Sequence, residues 1–186
     1  MRIISGEFKG KKINFPKDRT TRPLRDLVKE SLFNLIEHSN KISVNLNNSI
    51  ILDLFSGSGS FGLEALSRGA KKSIFVENYH NALISLDKNI KNLNCYERCL
   101  LTRLDCFKFI KNLHKNELKL DIIFLDPPYR EEKINFLLEE ILKKNILNKN
   151  GIIVIHRHKK DNIKLSEKLN IIDQKIYGVS KLIFAN

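Results

Sequence analysis

Residues 50–62 read IILDLFSGSGSFG, an apolar run that passes directly into three glycines with the spacing G-x-G-x-x-G. Glycines at this spacing let the backbone turn tightly and approach a ligand, and the start of a following helix can hold a negative group. An apolar strand before the glycines and a helical pattern after them predict a nucleotide-type binding loop. The alternative is a loop that has only a structural role and binds no ligand.

Strand and helix patterns alternate along most of the chain after this loop begins. Unbroken apolar runs indicate strands that are covered on both faces, as in a parallel sheet. The predicted strands are 50–54, 73–76, 100–104, 122–125, 152–155, 171–176 and 182–184, and helical spacing recurs at 63–66, 83–93 and 134–142. The sequence therefore predicts an α/β fold with a doubly wound, mostly parallel seven-stranded sheet.

Acidic residues follow the second and third predicted strands, at the edge where ligands bind in such sheets. Glu77 comes fifteen residues after Gly62 and can accept both ribose hydroxyls of a nucleoside cofactor. Asp105 is placed to meet an adenine amino group, but it can equally cap the next helix, which runs through Phe107. Both interpretations of Asp105 stay open at this point.

The fourth predicted strand ends in Asp126-Pro127-Pro128-Tyr129. Neither proline can donate a backbone hydrogen bond, so the strand stops and leaves a carboxylate and an aromatic ring at its mouth. The glycine loop alone would also suit NAD, but a dehydrogenase gains nothing from a corner that stacks a base. The remaining alternative is a loop that is merely stiffened by proline.

An enzyme that methylates an exocyclic amine does gain from this corner. Hydrogen bonds from the amine to Asp126 and to the Pro127 carbonyl can draw its lone pair out of the ring and aim it at a methyl donor. Tyr129 would stack on the base. The three cysteines, Cys95, Cys99 and Cys106, have neither CxxC spacing nor a histidine cluster, so we expect reduced thiols, no metal site and no covalent route.

Positive charge is concentrated near the amino terminus. The chain carries 33 Lys and Arg against 21 Asp and Glu, a net charge of +12, and residues 1–30 hold nine of the basic and four of the acidic residues. A solvated face is one interpretation, and an arm that contacts nucleic acid is the other. We expect a weak hairpin around Gly6 and Gly10, a helix from Pro23 with Thr21 or Arg22 as its cap, and a linker at 41–48.

These motifs resemble the S-adenosylmethionine-dependent amino-methyltransferases. Residues 53–70, the opening Arg2-Ile3-Ile4-Ser5-Gly6, the Thr21-Arg22-Pro23 corner and the late Tyr177-Gly178 are similar to the bacterial RsmD family, which methylates N2 of a guanine in small-subunit ribosomal RNA. The resemblance implies a class I, Rossmann-like methyltransferase fold with a hairpin-plus-helix extension at 1–40 and a catalytic domain at 41–186. It also implies the site residues. Those for S-adenosylmethionine are Asp53, Phe55, Ser56, Gly57, Ser58, Gly59, Glu77 and Asp105; those for RNA are Lys9, Lys11, Lys12 and Arg22; the catalytic ones are Asp126, Pro127, Pro128 and Tyr129.

Two departures and two alternatives qualify the resemblance. Ser56 stands where a small apolar residue is usual, and residues 156–160 read HRHKK where an acid is expected. That basic segment is either a solvated turn or a source of positive charge near the entrance to the substrate site. An adenine-N6 methyltransferase and a non-enzymatic RNA-binding module remain as alternatives. We expect a cytoplasmic monomer without a membrane partner, whose substrate is ribosomal RNA, either naked or in an assembling particle.

Overall fold

The structure is a computed structural model that describes residues 1–16, 18, 24–128, 131–161 and 163–186. Within these residues the chain forms seven strands and five α-helices. The strands are β1 (Ile50–Leu54), β2 (Lys72–Val76), β3 (Cys99–Thr102), β4 (Leu120–Leu125), β5 (Leu147–His158), β6 (Ile171–Tyr177) and β7 (Ser180–Ala185). The helices are α1 (Asp26–His38), α2 (Ser60–Ser67), α3 (His80–Leu93), α4 (Cys106–Asn112) and α5 (Ile134–Lys144).

The strands form one sheet in the order β3-β2-β1-β4-β5-β7-β6. The first five strands in this order pair in parallel, and β7 runs antiparallel to both of its neighbours. The predicted α/β, mostly parallel sheet and its Rossmann-like class are confirmed. The strand order reverses between β1 and β4, which is where open α/β sheets bind their ligands.

Apolar side chains cover both faces of the sheet, which explains the unbroken apolar runs. Ile51, Phe124 and Val154 belong to a cluster that also contains side chains of α1, α2 and α3. Leu52 and Ile153 belong to a second cluster with side chains of α4 and α5. The sheet is therefore doubly wound, and helices bury its parallel strands on both faces.

The amino-terminal region differs in detail from the prediction. Arg2 and Lys12 form an isolated antiparallel bridge, so the expected hairpin is a turn with one bridge and not a pair of regular strands. Helix α1 begins at Asp26, because the preceding Arg25 has an extended ψ of 144°. The Arg25 side chain makes no capping hydrogen bond. The predicted start at Pro23 is therefore wrong, and the proposed caps Thr21 and Arg22, like Pro23, lie outside the described residues.

Two other segments are more ordered than their sequences indicate. Residues 41–48, predicted as a linker, bury Ile42, Val44 and Leu46 in the core cluster beside α1. Strand β5 continues to His158, so the basic segment is not simply a turn. Turn geometry is confined to Lys159 and Lys160. None of the helices in the described part of the chain is long and apolar enough to cross a membrane.

A buried ionic network joins the amino-terminal region to α2. The carboxylate of Glu64 accepts hydrogen bonds from the backbone N–H groups of Ile4 and Ser5 at 2.8 and 3.0 Å. The ammonium group of Lys29 lies 3.2 Å from Glu64, and both side chains are fully buried. Burial lowers the pKa of Lys29, and the Glu64 carboxylate opposes that shift. The first residues of the chain are thus fixed against the helix that follows the glycine loop.

Candidate active site at the carboxyl edge of the sheet

The glycine loop between β1 and α2 contains three residues with left-handed backbone. Phe55, Gly57 and Gly59 have φ values of +60°, +54° and +78°, and the Gly59 N–H donates to the Ser56 carbonyl at 2.7 Å. A Cβ on Gly59 would lie 2.4 Å from Cδ1 of Leu86, whereas a Cβ on Gly57 would meet no atom within 4 Å. The positive φ and the close Leu86 side chain therefore both favour glycine at 59, and position 57 leaves space in which a ligand can approach the backbone.

Glu77 connects the end of β2 to this loop. Its Oε2 accepts from the Gly57 N–H at 2.7 Å, and its Oε1 accepts from the N–H groups of Asn78 and Tyr79 at 2.9 and 2.8 Å. An ionised carboxylate has about four acceptor positions, so these three bonds leave capacity for a further donor. The expected ribose contact is compatible with this arrangement.

Asp105 caps helix α4. Its Oδ1 accepts from the N–H groups of Phe107 and Lys108 at 3.0 and 3.1 Å. The capping interpretation is therefore correct, and since both bonds end on Oδ1, the geometry is also compatible with an amino group at Oδ2. Next to it, the Cys106 thiol receives the Phe55 N–H at 3.2 Å. Burial raises the pKa of Cys106 to about 12, so this cysteine is a protonated thiol at the base of the loop and a poor nucleophile.

Asp53, near the end of β1, is almost completely buried. Its Oδ2 accepts from the Gly62 N–H at 3.0 Å. Burial raises the pKa of Asp53 well above its ordinary value, and the negative charges of Asp126 and Glu77 add to that rise. An ionised Asp53 is therefore unfavourable at the reversal point of the strand order, chiefly because it is buried. A cationic ligand at this place would favour its ionised form.

Asp126 follows β4 directly and keeps 26% of its side chain exposed. Pro127 is buried and Pro128 is exposed, and the Pro128 carbonyl accepts from the Glu131 N–H at 2.9 Å. A carboxylate therefore lies at the start of this corner, and the Pro128 carbonyl is held by a backbone hydrogen bond. Tyr129 lies outside the described residues, so its predicted stacking role stays a prediction.

Two residues of the basic segment contact this turn, and the sequence did not reveal either contact. Nδ1 of His156 lies 2.8 Å from Oδ1 of Asp126. The next residue, Arg157, is buried, pairs with Asp161, and donates to the Pro128 carbonyl at 3.3 Å. Alternation along a strand sends consecutive side chains to opposite faces, so β5 contacts the turn from both sides. The inter-strand register that creates these contacts has no local sequence signal.

Asn89 on α3 is a further residue that sequence reasoning missed. Its side-chain amide donates to the carbonyls of Ser58 and Asn14 at 3.0 Å each, and its Oδ1 accepts from the Asn14 N–H at 2.8 Å. One buried amide therefore links the glycine loop to the amino-terminal segment. The Tyr79 hydroxyl adds a second link by donating to Asp18 at 2.8 Å.

The predicted RNA-binding lysines are exposed and close together. Lys9, Lys11 and Lys12 lie around the Gly10 turn, and a Cβ on Gly10 would meet nothing within 4 Å. Arg22 is outside the described residues. Among the residues that the structure does describe, no group of three or more His, Cys, Asp or Glu side chains could hold a metal ion.

The fold, its glycine loop and the acids at the carboxyl edge define a Rossmann-like enzyme of the class I methyltransferase type. Comparison with known proteins identifies the family. The model of the family described as "Conserved hypothetical protein 95" matches residues 1–186, and the chain belongs to that family. The resemblance to RsmD is thereby confirmed.

A curated relative agrees with this assignment, and two solved structures agree with the fold. The chain is 34% identical to the "Ribosomal RNA small subunit methyltransferase D" of Buchnera aphidicola subsp. Acyrthosiphon pisum, with 94% of this chain and 86% of that protein covered. The structure of yhhF from Escherichia coli has a TM-score of 0.82 at 24% identity, with 100% and 96% coverage. An RNA methyltransferase from Salinibacter ruber, solved with S-adenosyl-L-homocysteine, has a TM-score of 0.63 at 13% identity, with 88% and 92% coverage, and shows the fold alone.

Proposed function

We propose that this protein transfers a methyl group from S-adenosylmethionine to the exocyclic N2 amine of a guanine in small-subunit ribosomal RNA. The observation that carries the proposal is the convergence of the glycine loop, Asp53 and Asp126 on the strand-order reversal between β1 and β4. One strand end offers space for a nucleoside cofactor, and the adjacent one offers a carboxylate for a base. The names of the curated relatives support ribosomal RNA as the substrate class.

The acids at the carboxyl edge fit this cofactor. S-adenosylmethionine is a sulfonium compound that supplies an electrophilic methyl group, and it also carries an ammonium group. The raised pKa of Asp53 reflects chiefly its burial, and the negative charges of Asp126 and Glu77 add to it, so a cationic ligand would favour the ionised form of Asp53. Glu77 would hold the ribose hydroxyls, and Oδ2 of Asp105 would accept from the adenine amine. The open side of Gly57 would receive the cofactor backbone without a steric conflict.

Asp126 would orient the accepting amine. Its carboxylate and the Pro127 carbonyl would each accept one N–H of the guanine amine, and the nitrogen lone pair would then point toward the cofactor. Bound S-adenosylmethionine would supply the methyl group: a carbon–nitrogen bond would form as the carbon–sulfur bond breaks, S-adenosylhomocysteine would be left, and the amine would then lose a proton to solvent. The raised pKa of Cys106 is consistent with a direct transfer that needs no covalent enzyme adduct. Stacking of the base on Tyr129 completes the proposed contacts.

The substrate base must leave its helical stack to reach Asp126. The exposed Lys9, Lys11 and Lys12 would contact phosphates of the surrounding RNA, and Arg22 would extend the same surface. Phosphate contacts position the RNA and carry no base specificity. Asp126 would accept from the exocyclic amine of guanine, adenine or cytosine alike, so the choice of guanine rests on the resemblance to the RsmD family.

Asp126→Ala is the direct test of the proposed chemistry. We expect loss of turnover by at least about 100-fold with little change in S-adenosylmethionine affinity, because Asp126 would act on the amine and not on the cofactor. Asp87→Ala, on the exposed side of α3, is the matched control. Methyl transfer is measured on both naked small-subunit RNA and the assembled small-subunit particle, and cofactor affinity by calorimetry.

Mapping the modified nucleotide in RNA from cells with and without the gene identifies the product. Loss of one N2-methylguanine in small-subunit RNA is the expected result. Near-normal turnover of Asp126→Ala would contradict the assigned role. A missing N6-methyladenine would replace the guanine assignment, and absent S-adenosylmethionine binding would identify a non-enzymatic RNA-binding module.

A further inference from the structure

His156 is the residue of β5 that reaches the carboxylate proposed to hold the substrate amine. Strands β4 and β5 are parallel neighbours, and Leu125 pairs with Ile155 at the end of the shared register. Asp126 directly follows β4 and His156 follows Ile155 within β5, so the two residues lie at the same height and on the same face of the sheet. Their side chains meet at 2.8 Å between Nδ1 and Oδ1, and both are largely buried, with 26% and 18% exposed.

The chemistry of this contact fixes where its hydrogen lies. An ionised carboxylate accepts hydrogen bonds and donates none, so Nδ1 of His156 must carry the hydrogen that it directs at Oδ1. That bond occupies one oxygen of Asp126 and holds the carboxyl plane in one orientation. Oδ2 then remains as the oxygen that can accept from a substrate N–H. An acid, which the resemblance leads us to expect somewhere in residues 156–160, would at position 156 set two carboxylates against each other, unless one is protonated.

The peptide backbone of the same turn is held independently. Arg157 donates to the Pro128 carbonyl at 3.3 Å from the opposite face of β5, and its own position is set by Asp161. The contact that holds the Pro128 carbonyl therefore does not involve His156. What His156 adds is the orientation of the carboxyl group of Asp126.

We propose that His156 is a positioning residue for methyl transfer, which orients Asp126 by donating from Nδ1 to Oδ1 so that Oδ2 accepts the substrate amine. This inference rests on the proposed function and assigns no catalytic contact to His156 itself. It also gives the first residue of the basic segment a role that neither a solvated turn nor a general positive charge would provide.

Two substitutions separate orientation from simple space filling. His156→Asn keeps an N–H donor on Cγ, where the imidazole carries Nδ1, and His156→Leu keeps side-chain bulk without any donor. We expect His156→Leu to lower kcat by about 10- to 100-fold with little change in KM for RNA, because one bond to a charged group is lost at the reacting amine. His156→Asn should remain within about 3-fold of the unsubstituted enzyme.

The controls distinguish this proposal from its alternatives. His114→Ala removes an exposed histidine from the loop before β4, at the opposite end of the sheet, and should leave kcat unchanged. S-adenosylmethionine affinity, measured by calorimetry, should be equal in all variants, because His156 contacts the carboxylate of the substrate side.

Each other outcome overturns the inference. Equal kcat in His156→Leu and His156→Asn, whether high or low, would show that the donor has no specific role. A parallel loss of cofactor affinity would show that His156 maintains the fold. Absence of both methyl transfer and S-adenosylmethionine binding in the unsubstituted protein would refute the proposed function itself, whereas normal activity in all variants would refute only the role of His156.

Discussion

The buried pair of Lys29 and Glu64 allows a quantitative test of how the amino-terminal region is attached. Besides Lys29, the Glu64 carboxylate receives the backbone N–H groups of Ile4 and Ser5 and the Nε of Arg68, at 2.8 to 3.0 Å. Both members of the pair are fully buried. Removing Glu64 leaves the Lys29 charge without its carboxylate, and removing Lys29 leaves Glu64 with Arg68 as its one cationic partner among the described residues. In a buried site either loss costs more than the value of the bond itself.

Lys29→Met and Glu64→Gln each keep the side-chain volume and remove one charge. Each should lower the free energy of unfolding by about 3–5 kcal/mol, the cost of breaking a buried ion pair. For a chain of this length, about 2–4 °C in Tm accompanies each kcal/mol, so Tm should fall by about 6–20 °C. In the double variant no unpaired charge remains from this pair, so its loss should be smaller than the sum of the two single losses.

Guanidinium unfolding followed by circular dichroism measures these free energies, with Lys143→Met as a control for an exposed lysine of a surface pair. The control should change stability by less than about 1 kcal/mol. If either single variant lost less than about 1 kcal/mol, or if the losses were additive in the double variant, the pair would not be a coupled, solvent-free interaction.

The remaining predictions concern the cofactor site. Asp53→Asn should weaken S-adenosylmethionine binding and yet stabilise the free protein at pH 8. Because the pKa of Asp53 is raised in the folded protein, protonation of Asp53 contributes stability that is fully present below pH 3.8, its ordinary pKa. That contribution is lost as the pH rises through the folded-state pKa. The free energies of unfolding of Asp53→Asn and of the unsubstituted protein are compared at pH 5 and pH 8. A stability advantage of Asp53→Asn that becomes smaller at the higher pH would contradict the prediction. Gly57→Ala should cost about 1–2 kcal/mol in left-handed strain and reduce cofactor affinity. Gly59→Ala, whose Cβ would meet Leu86 at 2.4 Å, should destabilise the protein more. Calorimetry measures the cofactor affinity and denaturant unfolding the stability of both variants, and equal stability would refute the packing argument.

The sequence is sufficient for the features that local patterns determine. The apolar runs predict the strands because both faces of the sheet are buried, and the glycine spacing predicts the turn because Gly59 has both a positive φ and a close neighbour in Leu86. Asp105 was ambiguous from sequence for a physical reason, since one carboxylate has two oxygens and can cap a helix while it also accepts from a ligand.

Features that depend on distant contacts could not be predicted in this way. Glu64 stands in a helical sequence where an acid is usually solvated, and its partner Lys29 is 35 positions earlier. The segment at 41–48 looks like a linker because it is rich in asparagine, but its alternate apolar residues pack into the core. His156 reads as part of a basic run, and only the register of β5 against β4 brings it to Asp126.

The parallel sheet itself explains why acids with conflicting charges gather at one place. Neighbouring parallel strands end at a common edge, so Asp53, Glu77 and Asp126 converge although they are separated in sequence by up to 73 positions. Burial raises the pKa of Asp53, and the charges of Asp126 and Glu77 add to that rise, so an ionised Asp53 costs folding free energy. A fold-stabilising role would favour an apolar or amide side chain at position 53. A cationic cofactor, by contrast, makes a negative charge at Asp53 favourable, whereas Asp126 is bonded to His156 and is assigned to the substrate amine. The electrostatic cost in the free protein is therefore itself an argument that the edge is built for a positively charged ligand.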